Sequence, residues 1–297
     1  MSDLRELLSV PRTRRHPAAV TPRHDAFYYA AGIPFLALAK AKYMLRGYST
    51  PKPFSSRELD RSIDYAVDHA NEYMATLKTY GSDIAGKRVL ELGPGSDMGL
   101  ALCLIKNGAS SYVGFDRNSL AARAPDSFYA RLAHRTGVDL QWLRDGHVSY
   151  VVHEDFDLTT LSADIDIVVS NAAFEHFDDA ATTIAQVSQI VKPGGLACIT
   201  IDLQTHSRWI RDADPNNIYR YPERLYRLFH FPGQPNRVRP HEYRNAFETN
   251  GWTNIVMTPE NRLDPRFPAR AHKDFSGDRH WDWLSFTLCA TKTFAAT

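Results

Sequence analysis

Between residues 88 and 202 the chain alternates short apolar runs with longer stretches of helical periodicity. Arg88–Leu92, Ser111–Asp116, Ser149–His153, Ile165–Ser170 and Leu196–Asp202 predict five strands. Gly99–Asn107, Ser119–Arg135 and Asp179–Val191 predict the helices between them. Farther on, Pro240–Asn250 predicts a helix, Thr253–Met257 a sixth strand and Trp283–Thr291 a long last strand. Strands and helices in alternation predict an α/β fold, with a parallel sheet covered by helices on both faces. Ligands of such sheets sit at the carboxyl ends of the strands.

Residues outside this core predict a cap and two insertions. Residues 25–46 suggest a helix interrupted near Pro34, and Ser56 opens a second helical stretch that ends at about Tyr80. Ile63, Val67, Ala70, Met74 and Leu77 recur at helical spacing along it and mark its buried face. Residues 1–24, with Pro11, Pro17 and Pro22 among Arg and His, suggest a loosely attached tail. Leu203–Arg239 and Thr258–Asp282 interrupt the alternation, and insertions this long in a compact domain are usually lids or partly helical caps. The expected organisation is a tail and helical cap over 1–84, then one domain over 85–297 with insertions at about 203–239 and 258–282.

Composition narrows the class. Of 297 residues 43% are hydrophobic and 23% charged, enough apolar surface for a full core. Lys+Arg of 35 against Asp+Glu of 34 leaves +1, so no global field draws in a nucleic acid, and none is expected as partner. Cys103, Cys198 and Cys289 lie in apolar runs, an odd number at wide spacing that suggests buried thiols in a cytoplasmic protein. Met1–Arg15 is polar and basic with no apolar run behind it. Phe27–Ala39 is apolar but shorter than the roughly 20 residues a membrane span needs, so no stable membrane insertion is expected.

The chemistry concentrates at strand ends. Val89-Leu90-Glu91-Leu92-Gly93-Pro94-Gly95 predicts a strand that ends in a glycine turn, with an acid just before the first glycine. That layout lets a nucleoside-bearing cofactor lie on bare backbone while a carboxylate holds its polar end. Gly114-Phe115-Asp116-Arg117-Asn118 ends the second strand in a carboxylate suited to vicinal ribose hydroxyls. It lies about 20 residues past Gly95, which also fits a nicotinamide enzyme. His153-Glu154-Asp155-Phe156-Asp157 follows the third strand, and Asn171-Ala172-Ala173-Phe174-Glu175-His176 the fourth. Val191-Lys192-Pro193-Gly194-Gly195-Leu196 predicts a helix stop and a tight reversal into the fifth.

Taken in order, these segments resemble the motifs of the class I S-adenosylmethionine-dependent methyltransferases. The first is E-x-G-x-G rather than G-x-G-x-x-G, with Asp97 where that family most often has a third glycine. The likeness covers residues 85–202 well and 240–291 by pattern only. It implies a Rossmann-like, doubly wound, mostly parallel sheet with an antiparallel last strand, an N-terminal helical cap and a lid insertion after strand 5. It implies S-adenosyl-L-methionine as cofactor, held by Glu91, Gly93, Pro94, Gly95, Asp116, Arg117 and Asn171. Asp155 is the expected adenine contact, with Asp157 the second choice and Phe156 packing on the ring.

Methyl transfer is an in-line displacement at an activated carbon, so the protein aligns the acceptor and, for an alcohol, removes its proton. His176 is the first candidate base, followed by His206 and Asp202, and then His241. Glu175, His176, Asp178, Asp179, Asp202 and His206 offer oxygen and imidazole ligands suited to magnesium or manganese. Their spacing demands no metal, helix capping accounts for Asp178 and Asp179, and none is expected. The N/D-P-P-aromatic segment of nucleic-acid base methyltransferases is absent, and only one glutamate follows strand 4 where protein arginine methyltransferases have two. A small-molecule or glycan acceptor is therefore expected, and O-methylation in natural-product or sugar metabolism first. N- or C-methylation, a non-methylating enzyme on the same cofactor and an RNA methyltransferase are the alternatives. Arg208, Trp209, Tyr219, Tyr221 and Arg237 in the lid suggest a ring-containing, somewhat anionic acceptor. The competing reading makes these aromatics the lid's own core and the arginines its wet face. Caps of this kind often pair two copies into a homodimer.

Overall fold

The computed structural model describes residues 14–15, 22–48, 58–264 and 270–294. Its seven longer strands are β1 (Arg88–Leu92), β2 (Ser111–Asp116), β3 (Val148–Val152), β4 (Ile165–Asn171), β5 (Val191–Asp202), β6 (Trp252–Arg262) and β7 (Trp283–Lys292). They form one sheet in the order β6-β7-β5-β4-β1-β2-β3. All neighbours are parallel except β7, which runs antiparallel to both β5 and β6. A two-residue strand, Arg14–Arg15, adds to the sheet beside β6. The expectation of a loose tail over 1–24 otherwise lies almost wholly outside the described residues.

Successive residues of a strand point to opposite faces, and the core divides accordingly. Val89 and Ile167 face a cluster with Ile63 and Leu77, Leu102 and Leu104, and Phe128 and Leu132. Leu90 and Val168 face the other, with Ile184, Ile199, Phe247, Trp252 and Phe286. The first layer is made by α2 (Leu59–Thr79), α3 (Gly99–Lys106) and α4 (Asp126–Thr136). The second contains α5 (Ala180–Ile190) and α8 (Pro240–Thr249). The lid after β5 carries two short helices, α6 (Arg208–Arg211) and α7 (Glu223–Leu228). Cys103, Cys198 and Cys289 are all buried and free.

Four expected boundaries move. The first helix, α1 (Pro22–Arg46), runs through Pro34 without interruption. A mid-helix proline forfeits one backbone bond. Two lid side chains use carbonyls in the turn before it: Asn217 donates to the Tyr28 carbonyl at 3.0 Å and the Tyr221 hydroxyl to that of Tyr29 at 2.7 Å. Helix α4 begins at Asp126, not Ser119, because Pro125 holds an extended conformation at its N-cap and forces Ala124 extended as well. Strand β5 begins at Val191 and carries Pro193, Gly194 and Gly195 inside it, where the pairing with β4 slips between Ile165 and Ile167. The expected sharp reversal is instead a bulge. Strand β6 extends to Arg262, so the second insertion shortens to the residues between Arg262 and Trp283.

Phe286 on β7 is fully buried, with ring contacts to Tyr243 and Trp283. Phe286→Ala is expected to cost about 3–5 kcal/mol of stability, measured by urea denaturation. A loss below about 1 kcal/mol would show that this face of the sheet is not packed as described.

Candidate active site

A cleft of about 1050 Å³ opens where β1, β2 and β4 end, under α1, α2 and lid residues 231–235. The turn after β1 forms its floor. The Gly93 amide donates to the Phe115 carbonyl at 2.9 Å, with φ at +72°, and a Cβ there would stand 2.6 Å from that of Ala173. Gly95, at φ +75°, has open space where its side chain would be. Both positions require glycine, and together they leave a bare backbone cradle.

Three carboxyl groups surround one end of the cradle. Glu91 is buried on β1 and accepts a hydrogen bond from the Tyr112 hydroxyl. Burial raises its pKa well above the usual carboxylate range, and the charges of Asp97 and Asp116 raise it further. Asp97 accepts from the Gly99 amide at 2.8 Å, and burial pushes its pKa up to about 6. Asp116 accepts from the Asn118 amide at 3.1 Å, and burial raises it too. No Lys, Arg or His among the described residues forms an ion pair with any of the three. Arg117 lines the cleft but pairs with Asp178 at 2.6 Å. This end suits a ligand bearing a positive charge and vicinal hydroxyls.

The opposite lip is aromatic. Phe156, at φ +52°, packs between Phe115 and Phe177 with centroids 5.2 and 4.5 Å away, and exposed Asp155 stands beside it. Pro94 and Asn171 complete the expected cofactor residues that line the cleft. The Asn171 amide donates to the Tyr65 hydroxyl and lies 3.2 Å from His69 Nε2, both on α2. Asp157 instead caps the turn at Thr159.

Farther along stand two imidazoles. A short turn after β4 carries Glu175 and His176, and His206 follows β5. His176 donates Nδ1–H to the Gly233 carbonyl at 2.7 Å, and His206 donates its own to Gln204 at 2.9 Å. Their rings meet edge-on with centroids 4.7 Å apart. His206 is packed about by protein yet open to the cleft. Burial first, then the charge of His206, holds the His176 pKa down at about 4, and burial lowers His206 as well. Burial thus favours the uncharged form of both rings.

Other expected residues lie elsewhere. Asp202 is outside the cleft, bound to Arg211 at 2.6 Å and to the Gln204 amide at 3.0 Å. His241 faces Asp278, also outside. None of the five lid residues expected at the acceptor lines the cleft. Arg208 is exposed and Trp209 is 82% exposed. Tyr219 and Tyr221 are buried in the lid's own core with Leu36 of α1. Arg237 donates to the carbonyls of Ile218 and Tyr221 and pairs with Glu223. Tyr219, Tyr221 and Arg237 therefore hold the lid itself together. Tyr43, Tyr48 and Phe231 wall the cleft instead, and Tyr43 stacks on Phe231 at 5.0 Å. Helical periodicity places Tyr43 in a helix but does not show that it faces a ligand, and Tyr48 and Phe231 lie outside the helices.

The sequence profile of a family described as a methyltransferase domain matches residues 64–256. The chain belongs to that family: it is a class I methyltransferase, and its cofactor is S-adenosylmethionine. The glycine cradle and the unpaired acids beside it fit such a cationic nucleoside. No curated protein matches the sequence. Similar solved structures include the CurJ carbon methyltransferase, at 15% identity over 98% of this chain and 70% of that one, with a TM-score of 0.47. Another is phosphoethanolamine N-methyltransferase 2 of Haemonchus contortus with S-adenosyl-L-methionine, at 15% identity over 86% of this chain and 60% of that one, with a TM-score of 0.47. A third is an S-adenosylmethionine-dependent methyltransferase from Mesorhizobium loti, at 17% identity over 76% of this chain and all of that one, with a TM-score of 0.44. Among the described residues no helix is long and apolar enough to cross a membrane.

The folded protein keeps the Asp97 proton up to about pH 6, whereas the unfolded chain releases it near pH 4. Between those values the folded state binds more protons, so this group's contribution to stability is lost as pH rises through the window. Asp97→Asn is expected to gain stability relative to wild type on going from about pH 4.5 to about pH 7.5, measured by urea denaturation. An unchanged difference would mean that Asp97 titrates normally.

Proposed function

We propose that this enzyme methylates a hydroxyl group of a small-molecule acceptor. The observation that carries the proposal is the pair of imidazoles, His176 and His206, that meet in the same cleft as the glycine cradle, each with Nδ1 on a backbone carbonyl. An amine acceptor needs no strong base, whereas an alcohol gives up its proton to one. S-adenosylmethionine, when bound, supplies an electrophilic methyl group.

The chain's own residues divide the remaining work. Asp116 takes the ribose hydroxyls, Glu91 and Asp97 face the cationic end, and Asp155 and Phe156 hold the adenine. Gly93, Pro94 and Gly95 leave room for close approach, with Arg117 and Asn171 at the margins. His176 has Nδ1–H fixed on a backbone carbonyl, so its Nε2 lone pair is free to accept the acceptor's proton. His206 is the second candidate. Tyr43, Tyr48 and Phe231 form an aromatic wall for a ring or sugar face. The acceptor's bulk lies against these side chains and not against Tyr219, Tyr221 or Arg237.

Calorimetry with S-adenosylmethionine tests the cofactor half. Asp116→Ala is expected to bind it about 10- to 100-fold more weakly, from loss of charge-assisted hydrogen bonds worth about 1.5–3 kcal/mol each. Unchanged affinity would remove Asp116 from the site. A panel of matched alcohols and amines, with S-adenosylhomocysteine release as readout, tests the acceptor half. Turnover on alcohols that His176→Ala loses without losing cofactor affinity is expected. Turnover on amines only, or wild-type turnover by the variant, would overturn the acceptor class or the base respectively.

A further inference from the structure

Cofactor binding does not account for the burial of Glu175 beside the cleft. Glu175 is only 3% exposed, no side chain donates to either of its carboxyl oxygens, and only backbone amides, its own and that of Asp202, offset its burial. A buried carboxyl group without a partner is costly, and natural proteins pair such groups or place them on metals. The residues around it are informative. One carboxylate oxygen of Glu175 and one ring nitrogen each of His176 and His206 lie within 4.8 Å of one another. Arg211, the cation beyond them, is bound to Asp202.

Both imidazoles are already oriented. Each donates Nδ1–H to a backbone carbonyl, which leaves the ring lone pair on Nε2. A carbonyl on the far nitrogen is the support that metal-binding histidines commonly have, because it fixes both the tautomer and the ring plane. Both supporting carbonyls belong to the insertion after β5, Gln204 at its start and Gly233 near its end.

We propose that Glu175, His176 and His206 bind one divalent transition-metal ion, zinc or manganese in class, with its remaining positions open to the cleft. Two imidazoles and one carboxylate make a mixed donor set that calcium and magnesium do not favour. Three protein ligands leave positions for water or substrate, the pattern of catalytic rather than structural sites. His176 and His206 line the cleft, so those positions face the acceptor side. Small side-chain rotations bring the three groups from their present spacing to ligand distances of about 2.0–2.2 Å. The site deepens the proposed hydroxyl methylation and rests on it only for its use: an acceptor oxygen on the ion loses its proton more readily. With its Nε2 on the ion, His176 acts as a ligand and not as the base, so the acceptor's proton passes to solvent, and the oxygen keeps the electron pair that forms the new bond to carbon. The sulfonium's bond to that methyl breaks, and its electrons remain on sulfur.

The test uses the whole protein, stripped with EDTA and titrated with Zn²⁺ or Mn²⁺ alone, by calorimetry and, for manganese, by electron paramagnetic resonance. One ion per chain is expected, with Glu175→Gln and His206→Ala each weakening it at least about 10-fold. S-adenosylmethionine affinity reports whether each variant is folded, and His206→Ala, at an exposed position, carries the test if Glu175→Gln fails to fold. Wild-type binding weaker than about 1 mM would overturn the site. So would equal binding by wild type and folded variants. Alcohol methylation that persists in EDTA without bound ion would remove the site and leave the proposed function. A bound ion in a protein that methylates only amines would leave the site and remove that function.

Discussion

The cleft depends on how the end of β1 is held from both sides. The Gly93 amide donates to the Phe115 carbonyl on β2, and the buried Ser170 hydroxyl of β4 donates to the Leu92 carbonyl at 2.8 Å. These bonds fix the point where the sheet's strand order reverses, with β2 on one side of β1 and β4 on the other. Connections leaving adjacent strands on opposite sides of such a point diverge and leave a crevice. Glu91, Asp116 and Asn171 reach it because each lies on or at the end of one of these strands. Their positions are set by backbone pairing, which makes the floor of the site part of the rigid sheet.

The charges of the site follow from that rigidity. Strand ends bring Glu91, Asp97 and Asp116 together where burial disfavours ionisation and no cation pairs with them. Elsewhere, Glu175 apart, buried charges of the lid are paired. Arg220 lies between Asp25 and Asp214, and Arg239 pairs with Asp278. An unpaired cluster of acids amid such pairing is a feature of the cleft, not of the fold in general. A cationic ligand that binds only the folded state adds its binding energy to stability.

Much of this architecture is legible in the sequence because its signals are local. A strand, its terminal acid and its glycine turn occupy a few consecutive residues, and β1, β2 and β4 fall close to their expected bounds. Errors arise where distant contacts decide. Pro34 reads as a break, but the helix that contains it is packed against the lid. The Pro-Gly-Gly segment reads as a reversal, but pairing with β4 draws it into the sheet. The lid's aromatics and arginines suit ligand contact and internal packing equally well as composition. Tyr221 bonds to a carbonyl 192 residues away, and no local pattern signals that. The same separation hides Tyr65 and His69, whose link to Asn171 spans more than 100 residues.

The attachment of α1 to the lid also sets an order of assembly. Lys40 donates to the Leu228 carbonyl, Asn217 and Tyr221 to those of Tyr28 and Tyr29, and the contacts close loops of 188 to 192 residues. Contacts this remote carry a large entropic cost of closure, which falls only after the strands between them have paired. The acceptor side is thus the last part to form and the least costly to release. Helix and lid are joined to each other by side-chain hydrogen bonds, while the cradle beneath them is held by backbone pairing in the sheet. Loss of the lid contacts would therefore loosen the acceptor side and leave the cofactor's seat standing.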